Sequence, residues 1–271
     1  MRRRTILRTT LALPILARAG ASQSVLIDCN FWLGEHPNRQ LPWHGTPSII
    51  KHLRERGVTQ AWACSFDALL HKDLAAANAR LTAECKASNG LLEAVGAVNP
   101  ALPGWQSDLE QCAVKHAMKI IRLVPGYHGY ELDDPRFTEL LLLAKEHRLL
   151  VQIVTQLEDE RTQHPLLRVP PVNLKKLPRA ARVMVLNANA SHVMTALRGT
   201  AAVIDTAFIE GVGGVENLLK DWPANRLVFG SHAPWFYWEA NKLKLSESEF
   251  TPDQLDAVTS RNALALLRAQ A

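Results

Sequence analysis

The sequence predicts a single (β/α)8 barrel of the α/β class. Eight short apolar runs alternate with longer helical segments along the chain, which is the pattern of repeated βα units. Most of these runs are apolar throughout, as expected for parallel strands covered on both faces. A doubly wound sheet is the competing fold, but no GxGxxG pattern follows the first run and eight units is long for that fold.

The elements follow one another from residue 24 to residue 268, which we predict to be one barrel domain. Each predicted strand is a short run rich in Val, Ile, Leu and Ala, and each predicted helix is a longer amphipathic stretch. The strands are predicted at Val25–Phe31, Gln60–Phe66, Leu92–Val98, Met118–Leu123, Leu150–Thr155, Arg182–Leu186, Ala202–Phe208 and Arg226–Phe229. The helices are predicted at Pro47–Arg56, Asp73–Ser88, Trp105–Lys115, Asp134–His147, Ser191–Arg198, Gly214–Asp221 and Thr251–Ala269.

The first 21 residues have the layout of an export signal peptide. A basic start is followed by a modest apolar stretch at 11–17 and by small residues suited to cleavage. Arg3 and Arg4 also resemble the twin-arginine signature of bacterial export. We therefore expect an exported protein of the bacterial periplasm or the extracellular space. The competing interpretation is an amphipathic N-terminal helix, which Pro14 and the lack of acidic residues disfavour.

The charge distribution argues against a nucleic-acid partner. The formal net charge is +5, but residues 1–19 contain five arginines and no acidic residue. The rest of the chain therefore has equal numbers of acidic and basic residues and no basic stripe. No apolar run approaches the roughly 20 residues of a membrane span. We expect a small-molecule substrate as the partner, and the sequence leaves the oligomeric state open.

Four cysteines are too few for a disulfide scaffold in a chain of this size. Cys29 and Cys64 lie in apolar runs and are expected to be buried, inert thiols. Pairing of Cys85 with Cys112 stays open, because export would place the chain in an oxidising compartment.

Polar residues at the ends of the predicted strands are the candidate site residues, since barrel active sites form at the carboxyl ends of the strands. In chain order they are Asp28, Asn30, Trp32, Ser65, Asp67, His71, Asn99, Arg122, His128, Gln156, Asp159, Glu160, Arg161, His164, Asn187, Asn189, Asp205, Glu210, Ser231 and His232.

Four segments carry a resemblance to a known family: Ile27–Gly34, Asp133–Pro135, Glu158–Arg161 and Phe229–Pro234. They resemble the amidohydrolase-related, metal-dependent hydrolase superfamily, and within it the branch of decarboxylases and lactonases. The resemblance covers about residues 24–268. It implies a TIM-barrel hydrolase, or a decarboxylase or other lyase, acting on a small carboxylate, lactone or amide.

The sequence departs from this family at the metal ligands. The family's Asp-x-His-x-His motif has Asn30 and Trp32 in place of both histidines, and its fifth-strand histidine falls at Val154. The catalytic aspartate of the family's last strand falls at His232. Of the implied ligand set only Asp28 survives. A divalent metal remains an open cofactor, but an indole or isopropyl group supplies no ligand atom, so we predict an atypical or metal-free site.

Acid–base chemistry is the alternative to a metal. We predict catalytic roles for Asp28, His232, Asp159 and His164, with Asp159 orienting an imidazole that activates water. Arg122 and Arg161 would hold a substrate carboxylate. A loop salt bridge between Asp159 and Arg161 and a turn at His164 are the structural alternatives.

Three further residues are predicted to bind substrate: Asn30, His128 and Trp32. Asn30 lies beside the surviving Asp28, His128 follows the fourth strand in a glycine-spaced loop, and Trp32 adds aromatic surface at the first strand end, which suits a ring-shaped ligand. Packing of the long loops explains the aromatic residues equally well. The competing hypothesis for the whole chain is a non-catalytic barrel that binds a ligand or a partner.

Overall fold

Eight parallel strands form one sheet whose order in space is the order along the chain. The computed structural model describes residues 25–36, 40–158, 163 and 168–269. Each strand overlaps one predicted run, so the (β/α)8 barrel is confirmed. The strands are β1 (Ile27–Leu33), β2 (Gln60–Ser65), β3 (Leu92–Ala97), β4 (Ile120–Leu123), β5 (Leu150–Val154), β6 (Val183–Leu186), β7 (Val203–Asp205) and β8 (Leu227–Val228).

Helices follow the strands and cover the outside of the barrel. Three of them, α2, α5 and α9, lie where the sequence analysis predicts no helix, and α4, α7 and α10 each continue into a π-helical turn. The helices are α1 (Thr46–Glu55), α2 (Asp67–Leu70), α3 (Leu74–Lys86), α4 (Trp105–Glu110), α5 (Pro125–His128), α6 (Pro135–Glu146), α7 (Ala190–His192), α8 (Gly214–Leu219), α9 (Trp238–Glu247), α10 (Pro252–Asp256) and α11 (Asn262–Arg268).

The seam between β8 and β1 is bridged by backbone hydrogen bonds beyond the end of β8. The Cys29 N–H donates to the Phe229 carbonyl over 2.9 Å, and the Trp32 N–H donates to the Ala233 carbonyl over 2.9 Å. These bonds bring the segment after β8 against the carboxyl end of β1. The seam therefore places two of the four segments of the family resemblance, Ile27–Gly34 and Phe229–Pro234, side by side.

Two apolar layers form the core. Outside the sheet, strand residues such as Ile153 pack against helix residues such as Phe137. Inside the barrel, Ile120, Leu150 and Met184 belong to a second buried cluster. The inner layer fills the barrel, as in barrels of this type, so any site must lie above it at the carboxyl ends of the strands.

All four cysteines are buried free thiols. The pairing of Cys85 with Cys112 that the sequence leaves open is therefore not formed. Burial raises the pKa of both thiols to about 12, which keeps them protonated and unreactive. In the part of the chain that the structure describes, no helix is long and apolar enough to cross a membrane. The predicted signal at residues 1–21 lies outside the described residues.

Candidate functional site at the carboxyl ends of the strands

Seven polar side chains lie together, fully buried, at the carboxyl end of the barrel. Burial of this many polar groups requires that they bond to one another. This polar centre consists of Asp28, Asn30, Arg122, Gln152, Asn187, Asp205 and His232.

Asp28 joins β1 to the segment after β8. One carboxylate oxygen accepts from the Ser231 N–H over 2.9 Å and from the Asn30 N–H over 3.2 Å. The other accepts from the indole N–H of Trp238 over 3.2 Å. Burial raises the pKa of Asp28 to about 6, against the opposing effect of these hydrogen bonds. Hydrogen bonds therefore engage both oxygens of a carboxyl group that has no exposure to solvent.

Asn30 links three strand ends. Its amide nitrogen donates to Asn187 Oδ1 and to Asp205 Oδ2, each over 2.7 Å. Asp205 in turn accepts from the Asn187 N–H over 2.9 Å. Burial raises the pKa of Asp205 to about 6, and the Asn30 hydrogen bond opposes that rise. Asn30, which the resemblance aligns with a histidine of the family, is therefore held by hydrogen bonds to other residues of the chain.

His232 is neutral and held at both ring nitrogens. Nε2 donates to the Leu157 carbonyl over 2.7 Å, which leaves Nδ1 to accept from the Asn187 amide over 3.2 Å. The backbone N–H of His232 donates to the backbone carbonyl of Asn30 over 2.8 Å. Burial lowers the pKa of His232 to about 3. The imidazole is completely enclosed, so a base at this position has no direct contact with solvent.

Arg122 extends from β4 across the barrel interior. Nε donates to Gln152 over 2.8 Å, and one terminal nitrogen donates to the Phe31 carbonyl over 2.9 Å. The other terminal nitrogen donates to the carbonyls of Cys29, over 3.5 Å, and Trp62, over 3.3 Å. Strand carbonyls and a glutamine therefore engage the guanidinium that the sequence analysis assigns to a substrate carboxylate.

The residues at the family's metal-ligand positions do not fit a metal ion. His232 uses both ring nitrogens internally, Val154 has no donor atom, and the indole nitrogen of Trp32 carries a proton and no lone pair for a metal. Asp28, the surviving ligand residue, uses both carboxyl oxygens in hydrogen bonds, so among the residues at these positions only Asn30 Oδ1 is an acceptor without a hydrogen-bond partner. Within the described ranges, no three His, Cys, Asp or Glu side chains come together as a metal-binding group. A single amide oxygen is too weak a donor set for a resident divalent ion.

The remaining predicted site residues are placed as follows. His128 lies on α5, where Nε2 donates to the Ala68 carbonyl over 2.8 Å and ties α5 to α2. Trp32 is fully buried and stacks on Phe66 with ring centroids 5.1 Å apart. Asp159, Arg161 and His164 lie outside the described residues. The structure thus brings Asp28, Asn30, Arg122, Trp32 and His232 together and places His128 apart from them, against α2; the catalytic and binding roles of all these residues stay predictions.

An aromatic layer lies over the polar centre. Each ring contacts a neighbouring ring of the layer. For example, the centroids of His36 and Trp235 are 4.3 Å apart, and those of Phe208 and Phe236 are 4.9 Å apart. The layer comprises Trp32, His36, Phe66, Phe208, His232, Trp235 and Phe236. It separates much of the polar centre from solvent.

Two grooves open beside this layer on the carboxyl-end face. The first, which we call the rim groove, has a volume of about 370 Å³ and is lined by Gln40, Leu41, Pro42, His44, Pro234, Trp235 and Tyr237. The second groove, of about 530 Å³, is lined by Glu35, Phe66, Asp67, Leu70 and His71. A much smaller chamber of about 10 Å³ lies at the ends of β4 and β5 and is lined in part by Tyr127, Thr155, Gln156 and Leu157. Ligand-sized space is therefore found at the rim.

Three solved structures with the same fold carry names of enzymes that act on small acids. A 2,6-dihydroxybenzoate decarboxylase from Rhizobium matches with a TM-score of 0.67 at 10% identity, over 92% of this chain and 99% of that one. A 4-oxalomesaconate hydratase from Rhodopseudomonas palustris matches with a TM-score of 0.64 at 14% identity, over 90% and 96%. A probable 2-pyrone-4,6-dicarboxylic acid hydrolase from Acinetobacter baumannii matches with a TM-score of 0.61 at 13% identity, over 90% and 99%.

No family model matches this sequence, and no curated protein matches it either. Another structural neighbour is named an amidohydrolase II and has a TM-score of 0.65 at 12% identity, over 90% of this chain and 99% of that one. The resemblance to amidohydrolase-related proteins is therefore confirmed in the fold, which these neighbours share.

Proposed function

We propose that this chain is a small-molecule-binding barrel of the amidohydrolase-related type that works without the family's metal. The observation that carries the proposal is that His232 and Asn30, at two of the family's metal-site positions, are engaged with the chain's own groups, while Trp32 and Val154, at two others, supply no ligand atom. Only Asn30 Oδ1 is left over. The polar centre then has a structural role beneath the face on which the ligand binds.

The charge at the centre supports the same conclusion. Arg122 is a buried cation. Its electrostatic attraction to the buried carboxyls of Asp28 and Asp205 raises its pKa, against the lowering effect of burial. A divalent ion beside this guanidinium would meet like-charge repulsion in a low-dielectric interior. The chain's own cation thus balances the carboxyls that remain.

The ligand is proposed to bind at the carboxyl-end face, where the grooves provide volume. A small carboxylate, lactone or amide is the class to test first, because the structural neighbours named above act on small acids. Fold likeness alone does not carry an activity from one barrel to another, so the screen must separate binding from turnover.

The test combines elemental analysis with a ligand screen. We expect the protein, purified without chelators, to contain far less than one zinc, manganese or iron per chain. We expect members of a carboxylate, lactone and amide library to raise the melting temperature in proportion to ln(1 + [L]/Kd), without being consumed. Turnover that a chelator abolishes would overturn the proposal.

A metal-free hydrolase is the second candidate, and the chamber at the ends of β4 and β5 favours it. The Leu157 carbonyl that holds His232 belongs to a residue of the chamber wall. The chain continues from there to Asp159, Arg161 and His164, the acid–base and carboxylate-binding residues of this hypothesis. A decarboxylase or other lyase of the same type would use the same groups.

The two candidates separate by mutation. If a substrate in the library is turned over, His232→Gln combined with Asp28→Asn should abolish the turnover in the hydrolase. Both replacements keep hydrogen-bonding atoms in place, and the melting temperature reports whether the fold survives. Loss of turnover with an intact fold supports the hydrolase, and turnover that persists in the folded double variant excludes these residues as its catalysts.

We further propose that the chain is exported, on the strength of the basic, apolar and small-residue layout of residues 1–21. Replacing Arg3 and Arg4 by lysine should retain the protein in the cytoplasm if the twin-arginine route carries it. Cell fractionation measures this. Equal recovery of both proteins outside the cytoplasm would exclude that route.

A further inference from the structure

The rim groove has two aromatic walls of different character. Trp235 is 5% exposed, and its ring is fixed by His36, 4.3 Å away, and by Phe66, 6.1 Å away, between centroids. Tyr237 directly precedes α9 and is 75% exposed. The groove therefore combines a rigid edge with an aromatic ring whose faces are open to a ligand.

The groove is also lined by two planar polar side chains, Gln40 and His44, which hydrogen-bond to each other. The Gln40 amide donates to His44 Nε2 over 3.5 Å, and His44 Nδ1 donates to Glu35 over 3.4 Å. This chain of bonds engages one amide hydrogen of Gln40 and leaves its carbonyl oxygen and second amide hydrogen for a ligand. One side chain therefore offers both a donor and an acceptor beside the aromatic wall.

The charge of the groove selects against anions. Among its described lining residues there is no lysine or arginine, and the carboxylate of Glu35 lies behind His44. Among these described residues a carboxylate or phosphate would meet no lysine or arginine, and the carboxylate of Glu35 would repel it. A ligand without charge meets no such penalty.

From these features we infer that the rim groove binds a neutral sugar ring of the pyranose type. Such a ring has an apolar face that packs on an aromatic ring and a rim of hydroxyls that both donate and accept. The volume of about 370 Å³ is within the range of small-ligand sites. The inference rests on the proposed function, since it gives that function's binding face one site and adds, for the rim groove, a neutral ligand class to the carboxylates, lactones and amides tested there.

Saturation-transfer NMR on the full chain tests the inference. Methyl β-D-glucopyranoside is the probe, glucuronic acid adds a negative charge to a similar ring, and sorbitol carries the hydroxyls without the ring. We expect transfer to the methyl glycoside, weaker transfer to glucuronic acid and none to sorbitol. Equal transfer to all three, or none to the methyl glycoside, overturns the inference.

Variants locate the site. Tyr237→Ala should weaken binding of the methyl glycoside by about tenfold, whereas Tyr237→Phe should retain it. Leu70→Ala, in the second groove, is the matched control, because Leu70 is also exposed and should leave the affinity unchanged. Loss of binding in Leu70→Ala with retention in Tyr237→Ala would place the sugar elsewhere and overturn the inference.

Failure of this inference and failure of the proposed function would give different experimental results. If no sugar binds while members of the carboxylate, lactone and amide library stabilise the protein without turnover, the inference fails and the proposed function stands. If a metal-dependent turnover is found, the proposed function fails whatever the sugars do.

Discussion

The guanidinium carbon of Arg122 lies 4.7 Å from the ring centroid of Trp32, in a cation–π contact inside the barrel. Trp32 occupies one of the family's two first-strand ligand positions, so a side chain that cannot bind a metal packs against a permanent cation. Burial lowers the pKa of Arg122, and its attraction to Asp205 and Asp28 opposes that shift. An arginine remains charged under these conditions, which makes its hydrogen bonds indispensable.

Replacing Arg122 by methionine should lower the free energy of unfolding by about 3–5 kcal/mol. The change leaves the buried carbonyls of Phe31 and Trp62 without their donor and removes the positive charge beside the buried carboxyls. Chemical denaturation measures it. Arg136→Met is the control, because its ion pair with Asp134 lies at the surface, and it should leave the free energy of unfolding nearly unchanged. Similar losses in both variants would contradict a special role for Arg122.

The fold could be predicted because its signal is local. Runs such as Leu150–Thr155 are apolar at successive positions, and a strand covered on both faces requires that pattern. The helices that the sequence analysis missed lack such a signal: α2 and α5 have four residues each, and α9 begins within the aromatic cluster at Trp238. Short helices of this kind are fixed by tertiary contacts rather than by their own sequence.

The site could be predicted in part. Asp28, Asn30, Arg122 and His232 do lie together, because the carboxyl ends of barrel strands converge. Gln152 was missed, since a polar residue inside an apolar run gives no sign of its partner, and here the partner is Arg122. Asn187 and Asp205 were recognised as strand-end residues but not as the partners of Asn30, which lies more than 150 positions away from each.

Acid titration of Asp28 should appear in the stability of the protein. Burial raises the pKa of Asp28 in the folded protein from its ordinary value of 3.8 to about 6, so the stabilisation by the protonated carboxyl is fully present below pH 3.8 and is lost as the pH rises through 6. Asp28→Asn cannot titrate and retains an acceptor oxygen for Ser231. The unfolding free energy of the variant relative to the natural protein should therefore rise by up to about 3 kcal/mol between pH 4 and pH 7.

Chemical denaturation at a series of pH values measures this difference. Asp221→Asn, at an exposed position, is the control for replacing a carboxylate outside the buried polar centre. A constant offset between Asp28→Asn and the natural protein across the whole range would contradict a raised pKa at Asp28.

His232 should give the opposite pH dependence. Burial lowers the pKa of His232 in the folded protein from its ordinary value of 6.5 to about 3, so the stabilisation by the neutral imidazole is present above pH 6.5 and is lost as the pH falls toward 3. His232→Gln keeps groups that can bond to Leu157 and Asn187 but does not titrate. The free energy of unfolding of the variant, relative to that of the natural protein, should rise by up to about 5 kcal/mol as the pH falls from 7 to 3. A difference that does not change with pH would mean that the imidazole is accessible to protons.

Metal ions should not stabilise the fold. A resident divalent ion raises the melting temperature as its concentration exceeds its dissociation constant, but the residues at the family's ligand positions leave only Asn30 Oδ1 unpaired. We expect the same melting temperature with excess zinc, with excess manganese and with a chelator. A saturating rise in melting temperature with one metal, reversed by the chelator, would reveal ligands outside these positions.

Gly230 is required by the close approach of β1 and β7 beneath it. A Cβ at this position would lie 2.7 Å from Asp205 Oδ2, 2.8 Å from Asp205 Cβ and 2.9 Å from Asn30 Cβ. Gly230→Ala should therefore force apart the two residues whose hydrogen bond joins β1 to β7, and we expect a loss of about 1–3 kcal/mol. Gly214→Ala is the control, since a Cβ there meets only ordinary contacts with Ile209. Equal stability of the two variants would show that the strands can separate at no cost.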